Sequence, residues 1–274
     1  MNRQNKSTIP WLWLAAVAVA ALWGYGFWIE PNWLEVSRHD IGSKKERTPI
    51  RLVQLSDVHL AEIDKPIKKV IAAVQELKPD VIVLSGDVVD RADVLPLLDE
   101  FLSSLGDMPK IAVLGNWEYW SQVNRKALKV LYAKHNVTLL INDCSELLLQ
   151  GRAIGFVGMD DALSGKPDYQ KVLSRCDIQN RDTILIEHSP HFFGKPLDTP
   201  AANPPFLFSL SGHTHGGQIA VFGHPVANPP GSGAYTSGWY QTKYGQLYVS
   251  RGIGMSEVPI RLGARPEVAV FEVN

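Results

Sequence analysis

Seven side chains able to ligate a metal lie at the ends of apolar runs: Asp57 and His59 in LSDVH, Asp87 in LSGD, Asn116 in LGN, His188 in EHSP, and His213 and His215 in SGHTH. Residues two apart on an extended segment project to the same side, so D-x-H and H-x-H can each present two ligands. Seven groups exceed the needs of one ion. With Asp87 shared, a first ion can take Asp57, His59, Asp87 and His215, and a second Asp87, Asn116, His188 and His213. Mixed carboxylate, imidazole and amide ligands suit manganese, iron, zinc or another first-row metal without choosing among them. Two divalent ions about 3.5–4 Å apart can clamp a phosphoryl group and stabilise both the entering and the leaving oxygen. Singly, an Asp or His after a strand is more often a cap or a satisfied polar group; the ordered combination is what points to phosphoester hydrolysis.

Several apolar runs must carry these residues. IRLVQLS (50–56), VIVLS (81–85) and KIAVLG (110–115) read as buried strands, with amphipathic helices over Pro66–Leu77, Leu95–Leu105 and Arg125–Lys134 between and after them. Alternating strands and helices predict a parallel sheet, whose strand ends are where ligands bind. The second half is richer in strands: 137–141, 146–150, 153–158, 183–188, 206–213, 246–250 and 267–273, with a helix over Asp168–Arg175. Two facing sheets with helices outside are therefore expected. HPVANPPGSGAYTSG (224–238) reads as a long surface loop near the site.

Ahead of this domain, residues 9–29 read IPWLWLAAVAVAALWGYGFWI without a charge. At about 1.5 Å of rise per residue the run can cross a hydrocarbon core of roughly 30 Å. Trp11 and Trp13 near one end and Trp23, Tyr25 and Trp28 near the other suit the two interfaces of a bilayer. A cleaved signal peptide is the competing reading, since Ala16-Val17-Ala18 and Ala18-Val19-Ala20 resemble cleavage sites, but the mature chain would then begin with an exposed apolar stretch. The expected layout is a tail over 1–8, a transmembrane anchor over 9–29, a polar connector over 30–48 and a catalytic domain over 49–274. Arg3 and Lys6 on one flank and Arg38, Lys44, Lys45 and Arg47 on the other nearly cancel. A single-pass protein of the cell membrane is expected, with an extracytoplasmic catalytic domain as one arrangement and the side left open.

The 274 residues carry 27 Lys and Arg against 28 Asp and Glu, a net charge of -1. No basic excess favours a nucleic-acid partner. Cys144 and Cys176 form neither a CxxC pair nor a zinc-finger pattern. Two buried thiols are expected, with a bridge as the alternative in an oxidising compartment.

Taken in order, DVH, GDVVD, GNWE, EHSP and GHTHGGQ make residues 50–274 resemble the calcineurin-like metallophosphoesterases, and SGHTHGGQI followed by VSRGIG resembles their membrane-associated bacterial branch. The resemblance implies a four-layer αββα sandwich, a dimetal centre with the ligands given above, and catalytic duties for Asn116 and His213. It implies hydrolysis of phosphodiester or pyrophosphate bonds, and with a membrane anchor the substrate expected is a lipid-linked or envelope precursor such as an acylated UDP-sugar. In that family Asn116 is usually followed by a His that can protonate the leaving group; here the position is Trp117, which has no titratable nitrogen. Either the leaving group departs unprotonated, or Glu118 or His191 supplies the proton, or the chain is a metal-binding scaffold with little activity. Asp90, Arg91, Arg251, Gly216 and Gly217 are lesser candidates: Arg251 for a substrate phosphate, and the two glycines for close backbone approach or an ordinary tight turn.

Overall fold

The computed structural model describes residues 9–42, 48–178, 182–194 and 206–274; the tail expected over 1–8 lies outside them. Helix α1 (Ile9–Gly24) runs on through a π-helical turn (Tyr25–Ile29) and a short turn (Glu30–Asn32). The segment Trp11–Asn32 is long and apolar enough to cross a membrane. Strand β1 (Glu35–Ile41) follows, then β2 (Ile50–Leu55), α2 (Lys65–Leu77), β3 (Val81–Ser85), α3 (Leu95–Ser104), β4 (Lys110–Val113), α4 (Asn116–Trp120), α5 (Arg125–Lys134) and β5 (Val137–Leu139). The second half holds β6 (Asp143–Leu149), β7 (Arg152–Gly158), α6 (Tyr169–Arg175), β8 (Asp182–Ile186), β9 (Phe208–Ser211), β10 (Ala220–Val221), β11 (His224–Pro225), β12 (Gly238–Thr242), β13 (Gly245–Val249) and β14 (Glu267–Val273).

Two six-stranded sheets form, in the orders β1-β14-β2-β3-β4-β5 and β12-β13-β9-β8-β7-β6. In β2 and β3 alternate residues serve different cores. Leu52, Val81 and Val83 face the second sheet, meeting Phe156, Ile184 and Phe208, whereas Val53, Leu55, Ile82 and Leu84 face α2, α3 and α5. Burial on both faces is why these strands read as unbroken apolar runs. A third cluster, with Val172, Phe192, Phe193 and Leu247, covers the outside of the second sheet. Helices, sheet, sheet and helix make the expected four-layer αββα sandwich. The helix ends follow their sequence signals: Asp64, Asn124 and Asp168 each accept a backbone N–H from the first turn of α2, α5 and α6.

Two expectations change. The connector over 30–48 is not irregular throughout, because β1 pairs in parallel with β14 from Glu35↔Glu267 to Ile41↔Val273. Its alternating polar residues suit an edge strand with one half-covered face, and no isolated apolar run marked it. The cysteines expected as thiols form a bridge, Cys144–Cys176, which ties β6 to the end of α6.

Candidate metal centre

The seven candidate residues follow the carboxyl ends of parallel strands: Asp57 and His59 after β2, Asp87 after β3, Asn116 after β4 as the first residue of α4, His188 after β8, and His213 and His215 after β9. All seven are buried. Asp57, His59 and His215 bring one ligand atom each within 4.8 Å of one another, and so do Asp87, His188 and His213. The two groups adjoin: His59 Nε2 is 3.2 Å from His215 Nε2 and 4.0 Å from Asp87 Oδ2, and His188 Nε2 is 3.0 Å from Asp87 Oδ2 and 4.0 Å from Asp57 Oδ1.

Backbone conformation, rather than an extended segment, aims these side chains. Asp57, His59, Asp87, His213 and His215 have φ of 51°, 45°, 51°, 71° and 51°. For residues with a Cβ, the left-handed region costs roughly 1 kcal/mol or more each. The residues of the D-x-H and H-x-H pairs are brought together, but the strands have already ended where they occur.

Neighbouring carbonyls fix the ring tautomers. His213 Nε2 lies 2.7 Å from the Pro230 carbonyl oxygen and His188 Nδ1 lies 2.9 Å from that of Ser85. A carbonyl only accepts, so those nitrogens carry the protons and the others carry lone pairs. The lone pair on His213 Nδ1 then faces Asn116 Oδ1 at 2.8 Å, and that on His188 Nε2 faces Asp87 Oδ2 while lacking any hydrogen-bond partner. Acceptors converging on acceptors in a buried space fit a cation. The electrostatics agree: burial opposes charge on His188, yet Asp87 and Asp57 outweigh it and push its proton affinity well above the ordinary imidazole range. His215 shifts the opposite way, driven well below that range by burial, then by His59 and Arg261. Asp57 is oriented by the His213 N–H, donating at 2.9 and 3.0 Å, and by the Ser56 hydroxyl at 2.5 Å.

Trp117 stands beside the centre, its indole edge-on to His59 with centroids 5.6 Å apart, and its backbone N–H donates to Asp87 Oδ1 at 2.8 Å. Glu118 is not placed as a proton donor. Its buried carboxylate accepts from the N–H groups of Asp87 (3.0 Å), Val88 (2.7 Å), Val89 (3.2 Å) and Gly115 (2.8 Å), clasping the loops after β3 and β4 together. Burial and then Asp87 push its pKa up to about 7. His191 lies 2.9 Å through Nδ1 from the Gly231 carbonyl, bracing the loop whose Pro230 orients His213. Asp90 Oδ2 is 4.0 Å from His59 Nδ1, whereas Arg91 pairs with Asp93 at the surface. The Arg251 guanidinium is held by Glu35 and Glu267 at 3.2 and 3.1 Å. A Cβ on Gly216 or Gly217 would meet Arg251 or Pro225, so these glycines serve a turn packed on protein.

One residue escaped the sequence reading. Arg261 is fully buried, donates to the carbonyls of Arg251, Gly252 and Ala264, and places Nη2 3.4 Å from His215 Nδ1. It follows no strand and sits in no motif, so only the fold reveals it.

Comparison with known proteins agrees with this geometry. Residues 50–217 match the pattern of the calcineurin-like phosphoesterases. The chain is 36% identical to the metallophosphoesterase YkuE of Bacillus subtilis (strain 168), over 95% of this chain and 93% of that protein. It is 29% identical to the phosphodiesterase YaeI of Escherichia coli (strain K12), over 94% and 95% of the two chains. A Danio rerio transmembrane protein with a metallophosphoesterase domain is 28% identical over 80% of this chain and 52% of that protein.

Proposed function

Because the chain belongs to the calcineurin-like phosphoesterase family, we propose that it is a membrane-anchored dimetal hydrolase of phosphodiester or pyrophosphate bonds, acting on a lipid-linked or envelope precursor such as an acylated UDP-sugar. The observation that carries the hydrolase reading is the pair of adjoining ligand groups, Asp57/His59/His215 and Asp87/His188/His213. Asp87, 3.0 Å from His188 and 4.0 Å from His59, is the natural shared ligand, and Asn116 completes the second group through its contact with His213. Two divalent ions, manganese among the candidates, would supply Lewis acidity to the phosphoryl group and a nucleophile at neutral pH.

What the chain itself contributes is placement and the control of protons. Ser85 and Pro230 hold the proton of each ring on the nitrogen away from the centre, so the lone pairs stay available. The Trp117 indole fills the place where a proton donor is expected, and its N–H can donate a hydrogen bond but not a proton. A leaving group stable as an anion, such as the phosphate side of a pyrophosphate or an aryl oxide, therefore suits this site better than an alkoxide.

Residues 9–29 as anchor support the membrane part of the proposal, and the Cys144–Cys176 bridge supports an oxidising, extracytoplasmic compartment. The full chain, purified in detergent and supplied with manganese and bis(p-nitrophenyl) phosphate, tests the reading; a lipid pyrophosphate screen then ranks substrates. Absence of turnover with every divalent metal tested would leave the alternative, a metal-binding scaffold, which Trp117 favours.

A further inference from the structure

The end of the anchor segment is packed onto the domain. Arg261 N–H donates to the Gly26 carbonyl at 3.0 Å, Ala264 N–H donates to Glu30 Oε1 at 2.6 Å, and a Cβ on Gly26 would lie 3.0 Å from Ile260. Of the uncharged apolar run 9–29, 17 residues, 9–25, precede Gly26. They span about 25 Å, less than the roughly 30 Å of a hydrocarbon core. If 9–29 crosses the bilayer, the 260–262 segment is drawn down to the headgroup level.

The next residue along, Leu262, leads directly to a hairpin. Ala220 N–H donates to the Leu262 carbonyl at 2.6 Å, and Leu262 N–H to that of Gln218 at 2.9 Å. β10 and β11 then pair antiparallel around the two-residue turn Phe222-Gly223. Phe222 has φ of 52° and is 98% exposed. Such a turn favours Asn or Asp at this position, so a phenylalanine there is unfavourable for the backbone and for solvation alike. Val226 and Val258 beside it are 69% and 52% exposed. From Gly216 to Thr242 the sequence has no Asp, Glu, Lys or Arg, although 20% of the chain is charged. An exposed, charge-free hairpin with an aromatic tip is what a lipid interface accepts and water does not, and Glu257, exposed next to Val258, is a charge that borders it.

We propose that the β10–β11 hairpin is a second membrane contact, which seats Val221 and Phe222 in the leaflet that the anchor enters. The partner is the bilayer surface, and continuity with the anchor through Gly26, Arg261, Leu262 and Ala220 is what selects it. An apolar groove lined by His215, Ile219, Val226, Pro229 and Val258 lies between this hairpin and the metal centre. Seating the hairpin opens that groove to the headgroup layer, so an amphiphile can reach the centre without leaving the membrane. The inference rests on the anchoring reading above.

Fluorescence quenching by lipid separates the two. The full chain is reconstituted in vesicles of phosphatidylcholine and phosphatidylglycerol with a polarity-sensitive dye on a single introduced thiol, in Phe222→Cys, Val17→Cys or Val130→Cys. Doxyl-labelled lipid is expected to reduce emission from positions 17 and 222 and to leave that from Val130, on exposed α5, unchanged. Quenching at 17 but not at 222 overturns the hairpin contact and leaves the anchor standing. No quenching at 17 overturns both. A blue-shifted but unquenched dye at 222 means that protein, not lipid, covers the hairpin, and equal quenching at 130 means that the contact is not specific; either result rejects the proposal.

Discussion

Replacing Asp87 by Ala removes the carboxylate proposed as the shared ligand of both groups. Elemental analysis should find both metal equivalents lost and turnover of a soluble phosphodiester reduced by roughly two to three orders of magnitude; two retained ions would refute the bridging role. Trp117→His restores a titratable ring beside His59, so hydrolysis of alkyl phosphodiesters should rise by up to roughly a hundredfold, the lower end of what a positioned acid contributes. The p-nitrophenyl ester, whose leaving group needs no proton, should gain little, and equal gains on both would exclude general acid help. At this scale the sequence was informative about ligands and poor about their supports. Asp57, His59, Asp87, Asn116, His188, His213 and His215 stand out by type and position after apolar runs. Glu118 looked like an acid because spacing cannot show four amides converging on its carboxylate, and Arg261 was invisible because its partners are backbone carbonyls from a loop.

Elements carry the next set of consequences. The Cys144–Cys176 bridge closes a loop with a sequence separation of 32 between β6 and α6. By chain-entropy arguments its reduction should lower stability by about 3–4 kcal/mol. Thermal melts with and without a reductant measure this, and an unchanged Tm would place the loop's order elsewhere. At the edge formed by β1, β14 and β13, burial alone would raise the Glu267 carboxyl. The Arg251 guanidinium and backbone N–H, with the Ser37 and Tyr248 hydroxyls, outweigh burial and hold it below the usual range. A depressed folded pKa contributes stability that is present above the ordinary carboxylate pKa and lost as pH falls through the folded one. The wild-type Tm should therefore fall more steeply than that of Glu267→Gln as pH is lowered below about 4.5. The central strands β2, β3, β4, β8 and β9 were legible as continuous apolar runs. β1 was not, because an edge strand alternates Glu, Ser, Arg and Asp and looks like a connector until β14 arrives beside it.

On the scale of the whole molecule, the N-terminal helical segment and the domain share hydrogen bonds at Gly26 and Glu30. A chain beginning at residue 25 keeps both, whereas one beginning at residue 35 leaves the buried Ala264 N–H without Glu30 and should lose about 1–3 kcal/mol. Urea titrations of the two truncations compare them, and equal midpoints would show that the segment adds no stability. The four layers were foreseeable from the alternation of strands and helices, but strand order was not, since β14 pairs with two strands far from it in sequence. That order bears on how the protein is made. β14, which follows every other described strand in the chain, is inserted between β1 and β2, which precede all the others. Until β14 arrives, β1 has no partner in the sheet and β2 has one unpaired edge. Closure of the first sheet therefore waits on β14, and a chain cut short before Glu267 leaves β1 without its partner and β2 paired only with β3.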